Sequence, residues 1–101
     1  MNSLVLPTET RMPDGYLEGA RACLAYLGVK SGEQVLLLPT FDLLEADPAT
    51  VYALRQVASE LGAETTVTVI ESLGTRGEPT RALARAIERC DVFIGIARVD
   101  D

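Results

Sequence analysis

The sequence predicts an α/β fold built on a three-stranded parallel sheet, and three observations predict it. Val35-Leu36-Leu37-Leu38 and Val92-Phe93-Ile94-Gly95-Ile96-Ala97 are apolar runs without alternation, bounded by turn residues. Such runs mark strands covered on both faces. A third segment, residues 65–71, alternates valine with threonine, which suits an outer strand with one partly wet face. Between these segments lie stretches of helical period, roughly 10–15 residues long, the spacing of parallel strands joined by right-handed crossovers.

Residues 1–13 read as an irregular arm broken by Pro7 and Pro13, although Leu4-Val5-Leu6 is apolar enough to pair as a short strand. Residues 14–101 read as one α/β domain. Its first helix is expected over residues 14–27, with Leu17, Ala20, Leu24 and Leu27 at helical spacing and Gly28 as a left-handed stop. A tight turn using Gly32 leads into the strand at 35–38, which Pro39 ends. Residues 40–47, with Asp42, Glu45 and Asp47 among Phe41, Leu43 and Leu44, read as a loop at the carboxyl end of that strand. Asp47-Pro48 starts the next helix: Asp47 is expected to cap its free amides, and proline fits the first turn because it has no N–H to lose. Val51, Leu54, Ala58 and Leu61 give its buried face, and Gly62 closes it. After the strand at 65–71 come a loop with Gly74 and Gly77 and a helix opened by Pro79. That helix sets Leu83, Ile87 and Cys90 on one face and Arg81, Arg85 and Arg89 on another. Asp91 leads into the last strand, residues 92–97.

The order is helix, then βαβαβ, as in half of a Rossmann-like or flavodoxin-like sheet. The simplest strand order is 2-1-3, with 35–38 in the centre. That order leaves the apolar run 92–97 on an open edge, which proteins normally pair or cover. We therefore expect an incomplete sheet, finished by a carboxyl-terminal portion or by a partner. A self-sufficient domain closed by dimerisation is the plainer alternative.

Composition narrows the function. The chain has 101 residues, 48% of them hydrophobic, and a formal net charge of −6, the values of an ordinary globular domain rather than a disordered one. An acidic domain lacks the positive field that nonspecific binding to nucleic acid or anionic membranes requires. Histidine is absent, which removes imidazole-based triads and His-containing zinc or iron sites. Cys23 and Cys90 fit neither a zinc knuckle nor a Cys-x-x-Cys motif and read as buried, reduced thiols. With no basic leader and no long apolar run, a cytoplasmic location is expected.

Two weak sites stand out. Between a strand and a helix start, the loop containing Gly74, Thr75, Arg76 and Gly77 has the makings of an anion cradle: glycines for close approach, free helix amides and a positive side chain. It matches no phosphate-loop motif, Glu78 would repel an anion, and turn glycines beside a surface arginine look the same. Thr40 and Asp42 lie at the carboxyl edge of the sheet, where α/β proteins place ligands. Asp42, Glu45, Asp47, Asp100 and Asp101 are all expected near that edge and can hold Mg²⁺ there if they converge, but solvated loop acids share this signature. No nucleophile has a base partner, so no catalytic set is assigned.

Residues 27–38, Leu-Gly-Val-Lys-Ser-Gly-Glu-Gln-Val-Leu-Leu-Leu, resemble the helix–turn–strand entry "V-x-x-G-E-x-V-L-x" of the aminopeptidase T family of metallo-aminopeptidases and the related 2,5-dihydroxypyridine 5,6-dioxygenases. Ala58-Ser59-Glu60-Leu61-Gly62-Ala63-Glu64 is similar to that family's "A-x-x-x-G-A" helix end, and Cys90-Asp91-Val92-Phe93-Ile94 to its "A-D-V-V-I" strand. The resemblance spans most of residues 17–97. It implies an amino-terminal scaffold domain that walls a substrate cleft and packs against a carboxyl-terminal catalytic portion. The implied cofactor is a divalent metal (Zn, Co or Fe) held by the parent enzyme, with no ligand in this chain. The alternative is a free-standing, non-catalytic binding module that completes its sheet with a partner or a second copy.

Overall fold

The computed structural model of the chain describes residues 12–71 and 80–97. The elements run α1 (Tyr16–Leu27), β1 (Gln34–Pro39), α2 (Phe41–Ala46), α3 (Pro48–Glu60), β2 (Glu64–Val67), α4 (Arg81–Arg89) and β3 (Val92–Ile96). The sheet is parallel and open, in the order β2-β1-β3, as expected. The expected strand at Leu4-Val5-Leu6, the glycine loop at 72–79 and the terminal acids Asp100 and Asp101 lie outside the described residues.

β1 is the centre of the molecule. Val35, Leu36, Leu37, Leu38, Pro39 and Thr40 are all buried. Burying each large aliphatic side chain of this kind is worth about 1.5–3 kcal/mol. Side chains alternate along a strand, so β1 serves two faces. Val35 and Leu37 join one core with Ala20 and Leu24 of α1 and Val51, Leu54, Val57 and Ala58 of α3. Leu36 and Leu38 turn to the second face, level with Phe93 and Gly95 of β3. The right-handed crossover usual between parallel strands would carry α4 over that second face.

The helix signals act largely as written. Gly28 adopts φ 72° and its N–H donates to the Ala25 carbonyl at 3.0 Å, closing α1. Pro48 occupies the first turn of α3, and Gly62 follows with φ 86°. Across the amino edge of the sheet the turns are knitted together. Gly32 N–H donates to the Gly62 carbonyl at 2.9 Å. Asp91 closes a reciprocal pair with Gln34: its carboxylate accepts the Gln34 N–H at 2.8 Å while its own N–H donates to the Gln34 carbonyl at 2.9 Å.

Four expectations need correction. Residues 41–46 form helix α2 rather than a loop, because Thr40 supplies a side-chain cap, accepting the Leu43 N–H at 3.4 Å, and Leu43 is buried beneath the turn. β2 stops at Val67 instead of reaching residue 71. Pro39 explains this: its carbonyl faces β2 and accepts the Ile70 N–H at 3.0 Å, but its ring nitrogen has no hydrogen to give, so the ladder lacks a donor there. β3 is not covered on both faces. Val92, Ile94 and Ile96 are partly buried against the core, while Phe93 is 52% exposed. Cys23 and Cys90 are free thiols as expected, but half-buried rather than buried.

The turn at Gly62 yields a test. Its left-handed backbone penalises any Cβ, and a Cβ built there meets the Ser31 hydroxyl oxygen at 2.5 Å. Gly62→Ala should lower stability by about 1–2 kcal/mol, the cost of a left-handed residue with a side chain. An unchanged urea midpoint would show that the turn can shift freely.

Candidate functional site

The carboxyl edge of the sheet is where the sequence places Thr40 and Asp42, and the structure shows what occupies them. Thr40 is 4% exposed. Its N–H donates to the Ile96 carbonyl at 3.0 Å, and the next amide, Phe41 N–H, donates to the Ile70 carbonyl at 3.0 Å. The end of β1 is thereby sewn to the chain on both sides. Its hydroxyl caps α2, so Thr40 is buried and engaged in the structure. Asp42 lies in the exposed first turn of α2, where its carboxylate accepts the Leu43 N–H at 2.9 Å. Thr40 and Asp42 are thus sequence neighbours that share one amide donor. Gly74, Thr75, Arg76 and Gly77, the expected anion cradle, lie outside the described residues.

Among the described acids of that edge, Asp42, Glu45 and Asp47 form no metal-binding group. Asp47 stands at the start of α3 as expected, but its side chain takes no amide of the helix. It accepts the Thr50 hydroxyl at 2.9 Å and, through both carboxylate oxygens, the Tyr16 hydroxyl at 3.0 Å. This corrects the expected capping role. Proline removes one amide from the first turn, and the backbone at Asp47 (φ −148°, ψ 65°) places the carboxylate within reach of Tyr16 of α1. Among the described residues no group of three or more His, Cys, Asp or Glu side chains can hold a metal ion.

Tyr16, Asp47 and Thr50 form the polar cluster that the sequence reading missed. Asp47 and Thr50, three apart at a helix start, carry a readable signal; Tyr16, 31 residues away from Asp47, carries none. The hydrogen bond to Asp47 is the main cause that pushes the Tyr16 phenol above its ordinary value of 10.0, with partial burial and the negative charge of Asp47 adding in the same direction. The phenol is held as a donor, so the cluster ties the start of α1 to the start of α3. Elsewhere Arg21 and Glu60 join the two helices at 3.3 Å on the surface, a contact of the kind worth little. Cys90 donates its thiol to the Ile87 carbonyl at 3.1 Å. Arg81, Arg85 and Arg89 are exposed along α4.

No helix among the described residues is long and apolar enough to cross a membrane. Comparison with protein families, with curated proteins and with solved structures found no match.

The tyrosine contact has a definite pH dependence. A phenol whose folded value is raised contributes stability that is complete below its unfolded value, near 10.0, and is lost as pH climbs through the folded value. The stability advantage of the native chain over Tyr16→Phe should therefore hold at neutral pH and shrink in strong alkali. Asp47→Ala should abolish the difference between Tyr and Phe at position 16. Denaturation midpoints of the four chains across pH check this, and an advantage that survives either Asp47→Ala or strong alkali overturns it.

Proposed function

We propose that this chain is the amino-terminal scaffold domain of a larger metal-dependent enzyme resembling aminopeptidase T or the 2,5-dihydroxypyridine 5,6-dioxygenases. In this role it walls the substrate cleft and packs against a carboxyl-terminal catalytic portion. One observation supports the reading above the rest: the two faces of the sheet are unequally covered. The first face carries a full core with α1 and α3. On the second, Phe93 is half-exposed and α4 has no buried residue. A contiguous exposed apolar patch is ordinarily an interface, and Phe93 would contribute its ring to one on this face.

The chemistry of the side chains fits a scaffold and not a metal centre. The sequence has no histidine, and the described acids are engaged in turns, strand pairing and helix contacts or stand apart. A Zn, Co or Fe ion of the parent enzyme would be held by residues of the catalytic portion, so no step of its reaction is routed through this chain. The same half-covered face would serve a free-standing binding module.

The two readings part at the gene. A reading frame that continues past the Asp101 codon into a region with clustered His, Glu and Asp supports the scaffold; a stop codon there overturns it in favour of the module. Purified residues 1–101 should show no aminopeptidase or ring-opening turnover with added Zn²⁺, Co²⁺ or Fe²⁺. Metal-dependent turnover by this chain alone would contradict the assignment.

A further inference from the structure

The helix α4 carries Arg81, Arg85 and Arg89 four residues apart, and all three are exposed. Each step of four advances about 6 Å along a helix and about 40° around it, so the guanidinium groups form one stripe about 12 Å long. Leu83 and Ile87 lie on the opposite side of the helix and are half-buried. The stripe is therefore the wet face of α4.

This face costs the helix stability. Arg81 and Arg85, and again Arg85 and Arg89, are like charges four residues apart, which repel one another on a helix. Arg81 is also the first residue of α4, and the first turn holds no acid. The helix dipole is positive at that end and disfavours a cation there. Only Arg89 stands in the last turn, where the dipole favours it. Glu88, the one acid within the helix, cannot relieve all three. A local rule broken in this way points to a surface kept for contact rather than for the helix itself.

The chemistry of guanidinium names the partner. Its planar fork matches a carboxylate with two parallel hydrogen bonds. Three forks about 6 Å apart suit carboxylates spaced one turn apart on a second helix. A nucleic acid fits less well. Its backbone charge would run on past the ends of so short a stripe, along a chain whose formal net charge is −6. An acidic helix can confine its charge to the stripe.

We propose that the arginine face of α4 is a docking surface for an acidic helix of a partner protein, whose carboxylates at four-residue spacing meet Arg81, Arg85 and Arg89. The inference concerns the charged face of α4 and does not rest on the scaffold reading.

The probe is a synthetic helical peptide with glutamate at every fourth position, set against the same peptide with glutamine there. At low salt the full chain should bind the glutamate peptide about tenfold more tightly than the glutamine peptide, and added salt should erase the difference. Arg81→Gln, Arg85→Gln and Arg89→Gln together should remove the preference. The same triple variant should keep or raise the urea midpoint, because it relieves the repulsion along α4. Equal binding of the two peptides by the native chain overturns the proposal. So does a triple variant that keeps the preference, or one whose urea midpoint falls, which would make the arginines structural. Displacement of the peptide by an equal concentration of single-stranded DNA overturns it in favour of nucleic acid. Self-association of the native chain that the triple variant loses overturns it in favour of a second copy.

Discussion

Everything in this molecule hangs on the burial of β1. From Val35 to Thr40 no residue reaches solvent appreciably; both neighbouring strands pair with it, and α1 and α3 share one core with its Val35 and Leu37. A strand buried on both faces must pair on both sides, since an unpaired buried amide costs about as much as a lost hydrogen bond. That demand places β2 and β3. It also explains the sewing at Thr40 and Phe41, whose amides would otherwise be lost at the point where the chain leaves the sheet and bends into α2.

The carboxyl edge, the customary ligand position in open α/β sheets, is here taken up with structure. Thr40 caps a helix, Asp42 accepts a local amide, and Asp47 joins two helices through Tyr16 and Thr50. Polar groups already satisfied by the protein have little left to offer a ligand. Among the described residues the second face leaves Phe93 half-exposed.

Much of this was legible in the sequence, for identifiable reasons. The run Val35 to Leu38 could be read as a central strand because nothing in it alternates, and Pro48, Gly28 and Gly62 act through backbone geometry that depends little on surroundings. α2 was missed because six residues are too few to show a period, and its cap is a threonine that equally suits a loop. The early end of β2 was missed because its cause, Pro39, lies on the neighbouring strand. Phe93 was misjudged because an apolar run declares the preference of its side chains and not whether the fold has enough material to cover them. Of the candidate site residues, the position of Thr40 and Asp42 at the sheet edge was readable, but their engagement was not. Asp47 shows the limit most plainly: its place at a helix start is local information, while its partner Tyr16 comes from a distant helix.

The reciprocal pair between Gln34 and Asp91 has a consequence for biosynthesis. These residues are separated by 57 positions. At roughly 5–20 residues per second, Asp91 is made on the order of 3–11 s after Gln34. Until then β1 can gather α1, α3 and β2 around itself, but one whole side of its ladder has no native partner. The nascent chain must pass through that interval with its most apolar strand open along one edge. During synthesis the β1–β3 pairing is therefore the last of the described strand pairings to become possible.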